Sequence, residues 1–178
     1  VAWTIALGTK LFGDTSFGIR VFAVLLGSGT SWLIFSLARR LYDLRTALWC
    51  GALVTFIPLF AAESILMTID PLSIFSWAWA MNIFWTALES AKLRHWVFLG
   101  VIIGLGFLAK FTNGVQLMCI ALFLCWSQPH RHFLFSRQTV AMCVVFVVTI
   151  SPLLFWNSQN GWVPCAPALF RRRVDLWV

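Results

Sequence analysis

Apolar residues run along this chain in long blocks, broken by short polar stretches, and the blocks rather than any finer periodicity set its plan. From about 21 to 37 the sequence is apolar except for Gly27-Ser28-Gly29-Thr30-Ser31, a small-residue surface on which another helix can lie closely. Further runs follow at about 47–62, 71–88, 96–109, 115–126 and 139–156. At roughly 1.5 Å per residue the longer runs just cross a hydrocarbon core of about 30 Å, whereas 96–109 and 115–126 are short for a span. Joining those two as one helix would bury Lys110 near mid-membrane, so Lys110-Phe111-Thr112-Asn113-Gly114 is read as a turn between two spans. Pro58 is expected to kink the second run or mark its last turn. Residues 1–20 mix Trp3, Leu7, Leu11 and Phe12 with Lys10, Asp14 and Arg20, which suits a helix lying in the membrane interface. The expected fold is all-α, a polytopic transmembrane helical bundle with about six spans.

Composition agrees with the block pattern. Of 178 residues, 61% are hydrophobic and only 11% charged, more apolar surface than a soluble domain of this size can hide in one core. The net charge of +7 is divided among short loops instead of forming one basic face, so nucleic acid is not an expected partner. Taken in order, the six loops after the spans hold 3, 0, 2, 1, 2 and 0 Lys and Arg. This alternation places the basic loops on the cytoplasmic side and puts Glu63, Asp70, Lys110 and the Trp156 to Trp162 stretch on the outer side.

Chemistry is sought first where charge meets apolar runs. Glu63 and Asp70 flank Ser64-Ile65-Leu66-Met67-Thr68-Ile69, and carboxylates are costly in hydrocarbon, so both belong at a surface or a wet cavity. Asp70-Pro71 is also a helix start, with Asp as cap and Pro in the first turn. Between Arg20 and the atypical tail at 164–178, Lys110 is the only Lys or Arg on the outer side. It can close a helix C-terminus and snorkel to water, or it can meet a phosphate at headgroup level. Gly100 and Gly104 form a GxxxG pattern that points to close helix packing. The five cysteines lack metal-ligand spacing and read as apolar filler, while His130-Arg131-His132 reads as a solvated loop. No Ser-His-Asp order, P-loop or dinucleotide fingerprint is present.

The order of Leu11-Phe12-Gly13-Asp14 through Arg20, Ala38-Arg39-Arg40-Leu41-Tyr42, Met67-Thr68-Ile69-Asp70-Pro71, Gly104-Leu105-Gly106-Phe107-Leu108-Ala109-Lys110 and Pro152 through Trp156-Asn157 to Gly161-Trp162 resembles the membrane-embedded C-type glycosyltransferases. This group uses polyprenyl-phosphate sugars and includes protein O-mannosyltransferases and lipid A aminoarabinose transferases. The resemblance implies sugar transfer from a polyprenyl-phosphate-linked donor to a lipid or protein acceptor on the outer face of a membrane, expected to be the bacterial inner membrane with the active side toward the periplasm. It needs no nucleotide or other cofactor. By position Lys110 resembles the lysine that meets the donor phosphate, Asp70 matches an acidic motif position, and Glu63 joins them as a candidate substrate-binding residue. The family's general-base aspartate is expected upstream of Val1, so the chain reads as a fragment, inactive alone, and Asp14 is not promoted to that role. Residues 164–178, with Arg171-Arg172-Arg173 on the expected outer side, break the pattern and are expected to be a truncation or reading-frame artefact. A transporter or flippase, or a non-catalytic membrane scaffold, stands as the alternative.

Overall fold

The computed structural model describes residues 2–63, 65 and 68–160, apart from the side chains of Ala2, Trp3, Leu59 and Glu63. Among them it is helical, in the order α1 (Ala2–Phe12), α2 (Ser16–Leu41), α3 (Leu44–Phe56), α4 (Pro58–Glu63), α5 (Asp70–Ser90), α6 (Leu93–Ala109), α7 (Val115–Trp126) and α8 (Arg137–Gln159). Short 3₁₀ turns at Phe111–Gly114 and Gln128–Phe133 precede α7 and α8. The expected tail 164–178 and Trp162 lie outside the described residues.

Capping chemistry sets several of the bounds. The Thr15 hydroxyl accepts from the Gly18 N–H at 3.1 Å, so α2 begins at Ser16, ahead of the apolar run that starts at Val21. Asp43 caps α3 by accepting from the Arg45 N–H at 3.1 Å and from the Thr46 hydroxyl. Those bonds, the Thr46 hydroxyl foremost, hold the Asp43 carboxyl below the usual carboxylate range. Ile57 takes an extended conformation with ψ 121, as a residue before proline must, and this ends α3. Pro58 therefore opens α4 instead of kinking one long helix.

Helix directions follow from named contacts. Gly29 lies under Phe75, Asn82 Nδ2 donates to the Leu33 carbonyl at 2.9 Å, and Arg40 donates to the Thr86 hydroxyl at 2.7 Å, so α2 and α5 run the same way. Gly100 abuts the Met142 backbone and Gly104 abuts Thr149, so α6 and α8 also run together. That pair is the close packing which the GxxxG spacing predicts. Between α5 and α6 the direction reverses, with Phe84 against Trp96 near one end and Asp70 against Lys110 at the other. One end of the bundle thus gathers Ser16, Glu63, Asp70, Ala109, Val115 and Gln159. The opposite end carries Arg39, Arg40, Arg45, Lys92, Arg94, Arg131 and Arg137.

The apolar core sits toward the basic end. It is built from Ala80, Phe84, Leu88, Trp96, Leu99, Ile103, Ile120, Leu124 and Phe133, with their neighbours. Large apolar side chains also cover the exterior, among them Trp32, Phe56, Met118, Leu122, Val148 and Phe155. By length and composition the apolar stretches of α2 and α8 are long enough to cross a membrane, and only 22% and 11% of them is buried within this chain. Helices α3 and α6 and the 111–126 segment are apolar but shorter. Of the six expected spans, two therefore meet both length and hydropathy.

Candidate functional site

At the end opposite the basic loops, α6 stops where its sequence turns polar. The Lys110 N–H closes the helix on the Gly106 carbonyl at 2.9 Å, after which the backbone extends and the 3₁₀ turn begins. From that position the ammonium reaches α5, and Lys110 Nζ lies 2.5 Å from Asp70 Oδ1. Asp70 opens α5, with Ile69 at the cap position and Pro71 following it. The sequence suggests Asp70 as the cap, but Ile69 takes that position, so the aspartate falls in the first turn and its carboxylate is turned to Lys110. Each charge also stands at the helix end whose dipole favours it, the anion at an N-terminus and the cation at a C-terminus. The side chains are 37% and 31% exposed, so the pair remains open to an incoming ligand.

Directly below lies a buried polar cluster. Asn113 is 1% exposed; its Oδ1 accepts from the Ser73 hydroxyl at 2.7 Å, and its Nδ2 donates to the Ser76 hydroxyl at 2.9 Å and the Ser73 carbonyl at 3.3 Å. Ser76 in turn donates to the Ser73 carbonyl at 2.9 Å. Gly106 makes the cluster possible, because a Cβ there would come within 2.4 Å of Asn113 Nδ2 and 2.6 Å of Ser76 Oγ. One helical turn on, Gln116 Nε2 donates to the Trp77 carbonyl at 3.1 Å. These bonds fasten the start of α7 to the first half of α5.

A cavity of about 340 Å³ opens beside this cluster. Its surface is almost wholly apolar, from residues such as Ile34, Leu37, Trp77 and Met81; Ser73, Asn82, Thr112 and Asn113 also border it, Ser73 and Asn113 with their polar atoms turned to one another. A second cavity, of about 330 Å³, lies between α2, α3, α4 and α5, where Ser28, Thr30, Ser31 and Thr55 line it. Phe60 and Ile74 border both. Among the described residues no group of three His, Cys, Asp or Glu side chains converges to hold a metal.

The arrangement joins two of the three residues singled out in the sequence. Asp70 and Lys110 touch; Glu63 ends α4 at the same end of the bundle, and its side chain lies outside the described residues. Sequence reasoning passes over Asn113, Ser73, Ser76 and Gln116. Asn113 reads as a turn residue beside Gly114. A signal for the serines exists in hindsight, since Asp70, Ser73 and Ser76 recur every third residue down one side of α5.

A family model described as dolichyl-phosphate-mannose-protein mannosyltransferase matches residues 1–156. The chain belongs to this family. Asp70, Lys110 and the Asn113 cluster all fall within the stretch that the mannosyltransferase family model covers. Among curated relatives, the chain is 31% identical to an undecaprenyl phosphate-alpha-4-amino-4-deoxy-L-arabinose arabinosyl transferase of Pseudomonas paraeruginosa, over 98% of this chain and 31% of the relative. It is 30% identical to the protein of the same description in Pseudomonas aeruginosa strain UCBPP-PA14, with the same coverage, and 25% identical to that of Erwinia tasmaniensis. The chain spans about a third of the length of these family relatives. No solved structure matches it.

Proposed function

We propose that this chain is part of a membrane-embedded glycosyltransferase that moves a sugar from a polyprenyl-phosphate donor to a lipid or protein acceptor. The work is done at the outer face of a bacterial inner membrane, with the helices threading it as six spans. The observation that carries this reading is the half-open Lys110–Asp70 pair, with Asp70 one helical turn along α5 from Ser73, which lines a largely apolar cavity. An amphipathic donor has the same layout, a phosphate at the interface and a hydrocarbon chain below it. The names of the Pseudomonas relatives favour undecaprenyl phosphate as the carrier.

In this reaction the bond from the anomeric carbon to the phosphate oxygen breaks, and the acceptor oxygen forms the new bond to that carbon. The acceptor proton goes to a base that is not assigned among these residues. The lipid phosphate departs with an additional negative charge, so a fixed cation binds it more strongly as the bond breaks, and this difference accelerates transfer. Lys110 supplies that cation. Asp70 holds the ammonium in place until the phosphate competes for it, and Glu63 adds a second carboxylate for polar groups of donor or acceptor.

The test is release of undecaprenyl phosphate from a polyprenyl-phosphate sugar by membranes containing the full-length protein. A charge-assisted contact is worth about 1.5–3 kcal/mol, so Lys110→Ala should lower donor use by roughly ten- to a hundredfold. Unchanged donor kinetics in a variant that inserts normally would overturn the assignment of Lys110.

A further inference from the structure

At its backbone Lys110 is held by the bond that closes α6 and by the Asn113 N–H, which donates to the Lys110 carbonyl at 3.0 Å, but its long side chain has many rotamers. Something further along the chain must therefore set where the turn points. Three residues on, Asn113 is held in a socket that permits one orientation. Its Oδ1 takes the Ser73 hydroxyl proton, while its Nδ2 faces the Ser73 carbonyl and a Ser76 oxygen whose own proton is already given to that carbonyl. Exchanging the amide oxygen and nitrogen would set oxygen against the Ser73 carbonyl, two acceptors with no proton between them. The cluster is buried and every polar atom in it has a partner, which makes it directional as well as stable. It also joins the two elements that bear the charges, because Ser73 lies one turn past Asp70 on α5, and Asn113 lies in the 3₁₀ turn that Lys110 begins.

We propose that Asn113 is a positioning residue: clasped by Ser73 and Ser76 in the space left by Gly106, it fixes the turn after α6 so that the Lys110 ammonium stands over Asp70, one helical turn from the cavity-lining Ser73. This rests on the reading of Lys110 as the phosphate contact. Asn113 borders the cavity, but its amide oxygen and nitrogen are taken up by Ser73 and Ser76, so it acts on the phosphate through Lys110. Losing the clasp frees the turn, spreads the ammonium over many positions, and weakens capture of the phosphate without altering the apolar walls.

The experiment is a double-mutant cycle on the full-length protein in detergent, read as the affinity for undecaprenyl phosphate, with undecaprenol as the probe that lacks the phosphate. Asn113→Ala should weaken undecaprenyl phosphate binding by roughly tenfold, the scale of coupling within one hydrogen-bonded network, and leave undecaprenol unchanged. In a Lys110→Ala background the same substitution should have no further effect. Ser76→Ala, which removes one partner and leaves the carboxamide in place, should give a smaller loss of the same kind and supplies the test if Asn113→Ala does not fold. Equal losses for both probes, or an Asn113→Ala effect that persists in full without Lys110, would overturn the positioning role. If Lys110→Ala alone leaves phosphate affinity unchanged, it is the phosphate assignment that fails; if it lowers affinity while Asn113→Ala and Ser76→Ala do not, only the positioning role fails.

Discussion

Lys110 and Asp70 stand 40 positions apart in the chain, yet their side chains meet at 2.5 Å where the end of α6 passes the start of α5. The pair is open to water, so its contribution to folding is at most about 1 kcal/mol. Lys110→Met should therefore change thermal stability little while lowering use of a lipid-phosphate donor by at least tenfold. Thermal melting and donor kinetics measured on one preparation separate the two effects. A loss of function that only tracks a loss of fold would remove the special role of the pair.

Packing of α6 on α8 should fail in a specific way. A Cβ at Gly100 would lie 2.5 Å from the Met142 carbonyl oxygen, which is backbone. Gly100→Ala should destabilise the bundle by about 1–3 kcal/mol, and no substitution of the Met142 side chain should relieve it. Stability in detergent, compared between Gly100→Ala and a double variant with Met142→Ala, checks this.

Asn82 ties α5 to α2 by donating from Nδ2 to the Leu33 carbonyl, and the same Nδ2 also donates to the Ala78 carbonyl at 3.0 Å. Both carbonyls lie within helices and keep their helical partners when the side chain is removed. Asn82→Leu should then cost only about 0.6 kcal/mol, the usual scale for an interhelical bond in a membrane protein. A loss of several kcal/mol on thermal unfolding would mean that the carboxamide holds the two helices together to a greater extent than its two bonds suggest.

Sidedness is open to direct chemistry. In a cysteine-free background, Thr112→Cys should react with a membrane-impermeant thiol reagent added from the periplasmic side. His132→Cys, at the basic end, should react only after the membrane is opened. Labelling in the reverse order would invert the topology that the Lys and Arg alternation predicts.

Part of this architecture is legible in the sequence because the physics is local. Lys110 cannot lie in hydrocarbon cheaply, and the chain does break there, with α6 ending at Ala109 and α7 starting at Val115. Gly100 and Gly104 announce a close helix contact before the partner is known, and α8 supplies it. What hydropathy misses is set by bonds it does not count. The start of α2 depends on one Thr15 hydroxyl bond, and Gly18 and Arg20 after it look like an interruption. The Asn113 socket needs Ser73, Ser76 and Gly106 from two other helices, so the residue reads only as a turn former in isolation. The partner of Asp70 is likewise a tertiary fact, since its local sequence equally suits a helix cap.

The most direct test of the account is the affinity of the full-length protein for undecaprenyl phosphate relative to undecaprenol, measured by native mass spectrometry for the wild type and Lys110→Ala. Wild type should prefer the phosphorylated lipid, and Lys110→Ala should lose roughly ten- to a hundredfold on that lipid alone. Equal preference in the two proteins would mean that Lys110 does not hold the phosphate, and the pair with Asp70 would then be a structural contact between α5 and α6.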